Sequence, residues 1–333
     1  MNVLECKVPD DFIGSERLDK FISSLPGGMN RSHLKSVAEE IYVNQKKEKI
    51  SCRVKSSDSI KIIWKESFPS KYEAENIPLE IIYEDKNVCV VNKAQGMVSH
   101  PAPGNWSGTL VNALLFHFGK NFISELDPEK NTESEILANR RPGIVHRLDK
   151  ETSGIIITAK NPETHEFLSA QFKNHKSVVK EYIAICVGRP QKKSGVIKTQ
   201  IIRDPKDRKK FKSSLDENEG KYAETHYNCI ACYGNYSLMC LRIKTGRTHQ
   251  IRVHLKFINC PILGDSIYSK SDKKFPDATL MLHSKRLKIL VPKDFSSIPP
   301  KAEVMEFKTQ TPLRFKKVLK VLHRDYKKDI LQD

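Results

Sequence analysis

No stretch of this 333-residue chain approaches the roughly 20 consecutive apolar residues that a membrane-spanning helix needs. No glycine pair has the separation of a Walker loop, and no G-x-G-x-x-G follows a strand-like segment, so nucleotide and dinucleotide chemistry lose support. A G-x-S-x-G nucleophile elbow is also missing. Of the eight cysteines, only Cys229 and Cys232 have the separation common in zinc sites, and no second such pair completes a set of four ligands. His249 and His254 lie five apart on a predicted helix and therefore diverge rather than share a face. Neither a metal nor a cofactor is expected, and the cysteines read as buried free thiols of a reducing compartment. The amino terminus, MNVLECKVPDDF, has no basic region leading into an apolar stretch and no Arg-rich amphipathic pattern, so a cytoplasmic location is expected by default. A monomer is the default for oligomeric state.

Positive charge, by contrast, is abundant: 57 Lys and Arg against 40 Asp and Glu give a net charge of +17. Between Lys173 and Lys212 there are thirteen basic residues and only three acids, Glu181, Asp204 and Asp207. Each cation placed against a phosphate releases a condensed counterion, so clustering of this kind favours a nucleic-acid partner over a merely solvated surface. Charge alone does not choose between RNA and DNA.

The length accommodates one substantial core plus a smaller module. In residues 1–64, ERLDKFISSL carries Leu18, Phe21, Ile22 and Leu25 at helical spacing before the stop at Pro26–Gly28. A second helix is expected from Asn30-Arg31-Ser32 through Leu34, Val37 and Ala38, capped by Ser32, followed by extended pieces at 41–44 and 59–64. Residues 65–77, KESFPSKYEAENI, are polar, contain a proline and lack an apolar period, which predicts a linker. The larger domain is then 78–333. Strands are expected at 79–83, 87–92, 154–158, 179–187, 224–231 and 236–244, and helices at 109–118, 161–174 and 248–258. Asn161-Pro162 is a helix start, Asn at the cap and Pro in the first turn. Residues 119–142 and 203–221 read as loops, the latter basic and then acidic and expected to be mobile; 312–333 reads as a basic terminal helix and tail. Strands outnumber helices without alternating with them, which predicts an α+β domain around a largely antiparallel sheet.

Three segments carry candidate chemistry. PGIVHRLDKETSGIIITAK (142–160) sets a single acid, Asp149, in a loop just before a β-branched strand, where a carboxylate can point from a rigid scaffold into a cleft. An aspartate bracing the turn is an equally good reading of that position alone. LRIKTGRTHQIRVHL (241–255) puts Arg247 where a strand gives way to a helix; it could hold Asp149 ionised, contact RNA phosphate or stand on the surface. Lys180-Glu181-Tyr182 offers a flat ring against which a base could stack, although a core tyrosine is the commoner case.

Together, HRLDKETSG, KEY and KTGRTHQIRVHL resemble, in order and spacing, the RluA-like RNA pseudouridine synthases, and the likeness extends through residues 91–115, 261–268 and 282–289. RLDKF, NRSHLK, YVN and VKSSDSIKI likewise resemble the RNA-binding module shared with ribosomal protein S4. Gln45-Lys46 stand where that module usually has Gly-Lys, which predicts a longer turn. The resemblance implies a pseudouridine-synthase fold with flanking helices plus a small α/β S4-like domain. It further implies that Asp149 is the catalytic carboxylate, Arg247 its paired arginine and Tyr182 the ring packed on the target uracil. By the same likeness Arg147 fills the place of the extruded base, His146 shares that RNA-facing motif, and Arg31 and Lys35 belong to the RNA-binding module. The implied substrate is RNA, most like that of the large-subunit ribosomal members, with transfer RNA as an alternative. A non-catalytic RNA-binding or ribosome-assembly protein is the rival from another class. A glycosidic-bond hydrolase would need two cooperating carboxylates where one stands out.

Overall fold

The computed structural model describes residues 2–25, 31, 34–35, 38–64, 73–101, 105–119, 143–174, 177–207, 209–297 and 299–330. The chain divides into two compact units, 1–72 and 73–333.

The first unit contains β1 (Asn2–Lys7), β2 (Ser15–Arg17), α1 (Leu18–Ser24), β3 (Ala38–Val43), β4 (Lys46–Lys47), β5 (Arg53–Lys55) and β6 (Ser59–Trp64). β1, β6, β3 and β4 form an antiparallel sheet in that order, and β2 pairs β5. β6 alternates as a half-buried strand should, with Ile60 and Ile62 inward and Ser59 and Lys61 outward. Those isoleucines pack with Leu18, Phe21, Ile22, Leu34 and Val54 into one core. Arg31 and Lys35 are both exposed and helical, but the helix does not run through Ala38, which already belongs to β3 and pairs with Trp64. The expected cap at Ser32 and the stop at 26–28 lie outside the described residues. The turn after β3 is shorter than expected: Asn44 and Gln45 make it alone, with φ of 51° and 66°, the left-handed pair that suits the twist of a tight hairpin.

The second unit contains β7 (Ile81–Glu84), β8 (Val88–Lys93), α2 (Leu110–Phe118), β9 (Ser153–Ala159), α3 (Pro162–Asn174), β10 (Val179–Val187), β11 (Ser194–Arg203) and β12 (Phe211–Ser214). After these come β13 (Lys221–Tyr233), β14 (Tyr236–Ile243), α4 (Gln250–Phe257), β15 (Leu282–Asp294), β16 (Lys301–Lys308) and α5 (Leu313–Ile330). The strands build one ten-stranded sheet, ordered β12-β11-β13-β14-β10-β15-β9-β8-β7 with β16 also on β15. Every pairing is antiparallel except the short β9–β15 contact, so the expectation of an α+β domain on a largely antiparallel sheet holds. One apolar cluster joins Tyr182, Met239 and Leu241 of the sheet to Ile251 and Leu255 of α4 and to Phe315 and Val318 of α5. A second joins Val88, Ile155, Ile157 and Leu287 to Leu168 and Phe172 of α3. β9 is buried along its whole length, as its unbroken GIIIT run requires. Thr109 caps α2 in a reciprocal capping box with Asn112, and the Asn161 carboxamide accepts from the Thr164 amide at the start of α3.

Two boundaries differ from expectation. Of the proposed linker, residues 65–72 lie outside the described residues, whereas 73–77 are bonded into the second unit: Asn112 donates to the Glu73 carbonyl at 2.8 Å, and the Glu75 carboxylate accepts from the Gly108 amide at 3.0 Å. Residues 203–221 are not simply a loop, because Phe211–Ser214 pairs with Gln200–Arg203 as a hairpin. Most of the expected loop at 119–142 lies outside the described residues. Among the described residues no helix is long and apolar enough to cross a membrane.

Candidate active site

The strand β8 ends in a lysine. Lys93 follows four buried residues and the half-buried Asn92, and is itself 1% exposed. A buried ammonium must find acceptors, and this one donates to the carbonyls of Ala94 (2.9 Å), Met97 (2.8 Å) and Lys150 (3.2 Å). Burial pulls its pKa down to about 7, against the charges of Asp149 and Glu151, which favour the ammonium. The Gly96 amide also donates a hydrogen bond to the Lys150 carbonyl, and Ser99 exchanges two hydrogen bonds with the Leu148 backbone. The Thr152 amide closes the turn on the Asp149 carbonyl at 3.0 Å. Asp149 therefore stands on a turn fixed from both flanks.

Gly154 shows why the segment ends in a glycine. It has φ of 115°, and a Cβ there would lie 2.2 Å from the Ser284 carbonyl oxygen. Backbone meets backbone at this point because β9 and β15 pair through Ser153–Gly154 and His283–Ser284.

The opposite wall is the junction of β14 with α4. Gln250 is buried and bridges it: its Oε1 accepts from Thr245 Oγ1 (2.7 Å) and the Arg247 amide (3.1 Å), and its Nε2 donates to the Glu224 carbonyl and Thr225. His249 takes a left-handed backbone, φ 56°, so α4 starts at Gln250. One turn on, Arg252 is 5% exposed and forks onto Asp265 through two bonds of 2.8 Å. Its remaining Nη1 reaches Asp149 Oδ2 at 3.4 Å.

Asp149, Tyr182, Arg147 and Arg247 all line one open cleft, together with His249 and Arg252. Tyr182 comes from β10, is buried, and has its hydroxyl bonded to the Ser284 side chain; burial pushes its pKa up, so it carries its proton. Arg147 is exposed at the cleft.

Two expectations are corrected. The arginine paired with Asp149 is Arg252, not Arg247: the Arg247 Nε donates instead to the Tyr222 carbonyl at 3.0 Å. His146 is occupied within the fold rather than turned to a partner. Its Nε2 accepts from the Ile157 amide at 3.0 Å, its ring stacks on Phe172 with centroids 4.4 Å apart, and burial lowers its pKa to about 3. Arg31 lies in the first unit, where it and Arg17 share Asp19, whose pKa they draw down to about 2; Lys35 is exposed nearby in sequence. Lys93 and Arg252 went unassigned from sequence. The visible signals were a lysine ending an apolar strand and an arginine three residues beyond His249, on the same helical face. Among the described residues no cluster of side chains suits a metal ion.

Comparison with known proteins identifies the family. Residues 87–257 match the family model for RNA pseudouridylate synthase. The chain is 44% identical over 284 residues to the ribosomal large subunit pseudouridine synthase D of Borreliella burgdorferi, covering 84% of this chain and 83% of that one. It is 40% identical over 321 residues to an uncharacterized RNA pseudouridine synthase of Aquifex aeolicus, covering 95% and 96%. Among solved structures, human RNA pseudouridylate synthase domain containing 4 aligns with a TM-score of 0.53 at 24% identity over 73% of this chain and 93% of that one, a likeness of fold.

Proposed function

Because this chain belongs to the RNA pseudouridylate synthase family, and is thus an isomerase acting on uridine in RNA, we propose that its substrate is large-subunit ribosomal RNA and that Asp149 is its catalytic carboxylate. The substrate class rests on the 44% identity to a ribosomal large subunit enzyme over most of both chains. Ribosomal RNA is met in the cytoplasm, where the enzyme works as a monomer, and the first unit serves as an S4-like RNA-binding module presenting Arg31 and Lys35.

The observation that carries the assignment of Asp149 is its position in the cleft between a buried aromatic ring, Tyr182, and a buried guanidinium, Arg252. The reaction breaks the bond from ribose C1′ to N1, turns the uracil while it is held, and joins C1′ to C5, whose proton leaves. The target must first quit its stack, at a cost of a few kcal/mol. Arg147, exposed beside Asp149, fills the gap left in the RNA, and Tyr182 supplies a flat face for the extruded base. The carboxylate then attacks C1′ or takes a sugar proton. Arg247, on the rim of the same cleft, contacts the RNA backbone. His146 takes no part.

Asp149→Asn tests the assignment. Release of tritium from C5-labelled uridine should fall by about 10³-fold or more, the order lost when a residue that acts only in the transition state is removed. RNA affinity and the unfolding midpoint should stay close to wild type. Release at the wild-type rate would overturn the role of Asp149. Pseudouridine mapping of ribosomal and transfer RNA with and without the gene tests the substrate.

A further inference from the structure

His249 faces the catalytic carboxylate, yet the assignments above leave it unused. Its Nε2 lies 3.9 Å from Asp149 Oδ2, the same oxygen that Arg252 Nη1 approaches at 3.4 Å. Asp149 Oδ1 has no hydrogen-bond partner among the described residues. On the far side of the ring, Nδ1 is 2.8 Å from the Tyr268 hydroxyl, and that hydroxyl oxygen accepts from the Phe211 amide at 2.9 Å.

These contacts fix the tautomer. Were the ring proton on Nδ1, the Tyr268 oxygen would accept twice and its own proton would have no acceptor among the described residues. With Tyr268 donating to Nδ1, both groups at that contact are satisfied and the ring proton sits on Nε2, the nitrogen 3.9 Å from Asp149 Oδ2. Tyr268 keeps its proton, since burial pushes its pKa up to about 12. The rings of Phe211 and Tyr268 stand edge-on to the imidazole, with centroids 5.6 Å and 5.5 Å away, and hold its plane. The charged groups facing it are Asp149, Arg252, Asp265 and Arg147; burial first, then the two arginines, keep the imidazole below its usual range and neutral near pH 7.

We propose that His249 is a positioning residue for Asp149: its Nε2–H, oriented by Tyr268, joins Arg252 on Oδ2 and leaves Oδ1 alone to meet the ribose. The inference rests on Asp149 being the catalytic carboxylate. It also gives the β11–β12 hairpin a role, because Phe211, at the start of β12, anchors Tyr268 and flanks the ring.

The backbone of His249 makes the test discriminating. At φ 56° and ψ 16° the residue is left-handed, a conformation Asn adopts readily and Gln does not. Gln, however, extends an N–H donor to about the place of Nε2, which the shorter Asn does not reach. His249→Gln and His249→Asn are compared in full-length enzyme by tritium release at saturating and limiting RNA. If the donor matters, Gln keeps kcat within about tenfold of wild type and Asn loses about 100-fold, the scale of a misplaced reacting group, with KM little changed in either. Tyr268→Phe, which leaves His249 in place, lowers kcat by about tenfold at unchanged KM. Asn outperforming Gln, or Tyr268→Phe turning over at the wild-type rate, would sink the proposal. Should either His249 variant fail to fold, the Tyr268→Phe result decides. Asp149→Asn run in parallel separates the two claims: an active Asp149→Asn removes the reading of Asp149 itself, whereas an inactive one with the Gln and Asn order reversed removes only the role of His249.

Discussion

The two walls of the cleft are rigid by different means. The wall bearing Asp149 is held mainly through main-chain carbonyls and amides: Lys93 grips three carbonyls, Gly96 a fourth bond, and Ser99 the Leu148 backbone. The wall at 245–252 is held through side chains, with Gln250 tying the turn to β13 and Arg252 forked onto Asp265. A backbone-held wall tolerates changes in exposed side chains but not in chain geometry. A side-chain-held wall fails when one specific partner is lost. Within that second wall the specific partner decides each residue's place: Arg247 rests on the Tyr222 carbonyl at the rim, and Arg252, five residues on, is buried between two carboxylates.

The largest effect should therefore come from Arg252. Replacing it by Gln leaves Asp265 buried without its cation, a loss that typically costs about 3–5 kcal/mol. It also frees Asp149, so activity should fall with stability. Adding Asp265→Asn should recover part of the unfolding free energy in denaturant but none of the tritium release. Arg247→Gln should stay within about 0.5 kcal/mol of wild-type stability, as substitutions away from buried networks do, and weaken RNA binding instead. Equal destabilisation by the two single variants would erase the distinction between them.

The next effect belongs to the other wall. Gly154→Ala introduces a methyl group against the Ser284 backbone at a left-handed position, so either β9 and β15 separate or the turn carrying Asp149 shifts. Strain of this kind costs about 1–3 kcal/mol. The unfolding free energy should drop by that amount, and kcat should fall although no residue that meets RNA has changed. A variant as stable and active as wild type would mean that the strand contact has slack.

Much of this was legible in the sequence, and what was not has a common cause. The strands at 59–64 and 179–187 and the helix at 162–174 follow from alternation, β-branching and a cap, all of which act within a few residues. The motif segments Leu148-Asp149 and Gly246-Arg247 could be joined into one site because their resemblance to a family brought them together. The pairing of Asp149 with Arg252 rather than Arg247 could not be read, since it depends on Asp265, thirteen residues further along, drawing one guanidinium inward. His146 misled for the same reason: its place is set by Phe172 on α3 and by the Ile157 amide, not by its neighbours in HRLD. The strands at 194–203, 282–294 and 301–308 were not anticipated. β16 is exposed at five of its eight positions, including Val304, so its pattern carries little apolar alternation.

The smallest effect tests whether the backbone-held wall is built on a charge. Lys93 has a pKa of about 7 in the folded chain, below the roughly 10.4 of an unfolded lysine. Below pH 7 both states carry the proton, and the cost of burying the ammonium is constant. As pH rises from 7 towards 10.4 the folded lysine loses its proton while the unfolded one keeps it, so the unfolded state binds more protons and stability increases. Between pH 7 and 8 the gain should be about 1 kcal/mol. Lys93→Met removes this term. Its three carbonyls lose their donor and it should be less stable at every pH. The gap between wild type and variant should nevertheless widen by that 1 kcal/mol over the same interval, read from urea unfolding in matched buffers. Curves that run parallel from pH 7 to 9 would mean that the three carbonyls keep the ammonium charged throughout, making the wall's anchor a permanent cation rather than one that titrates beside Asp149.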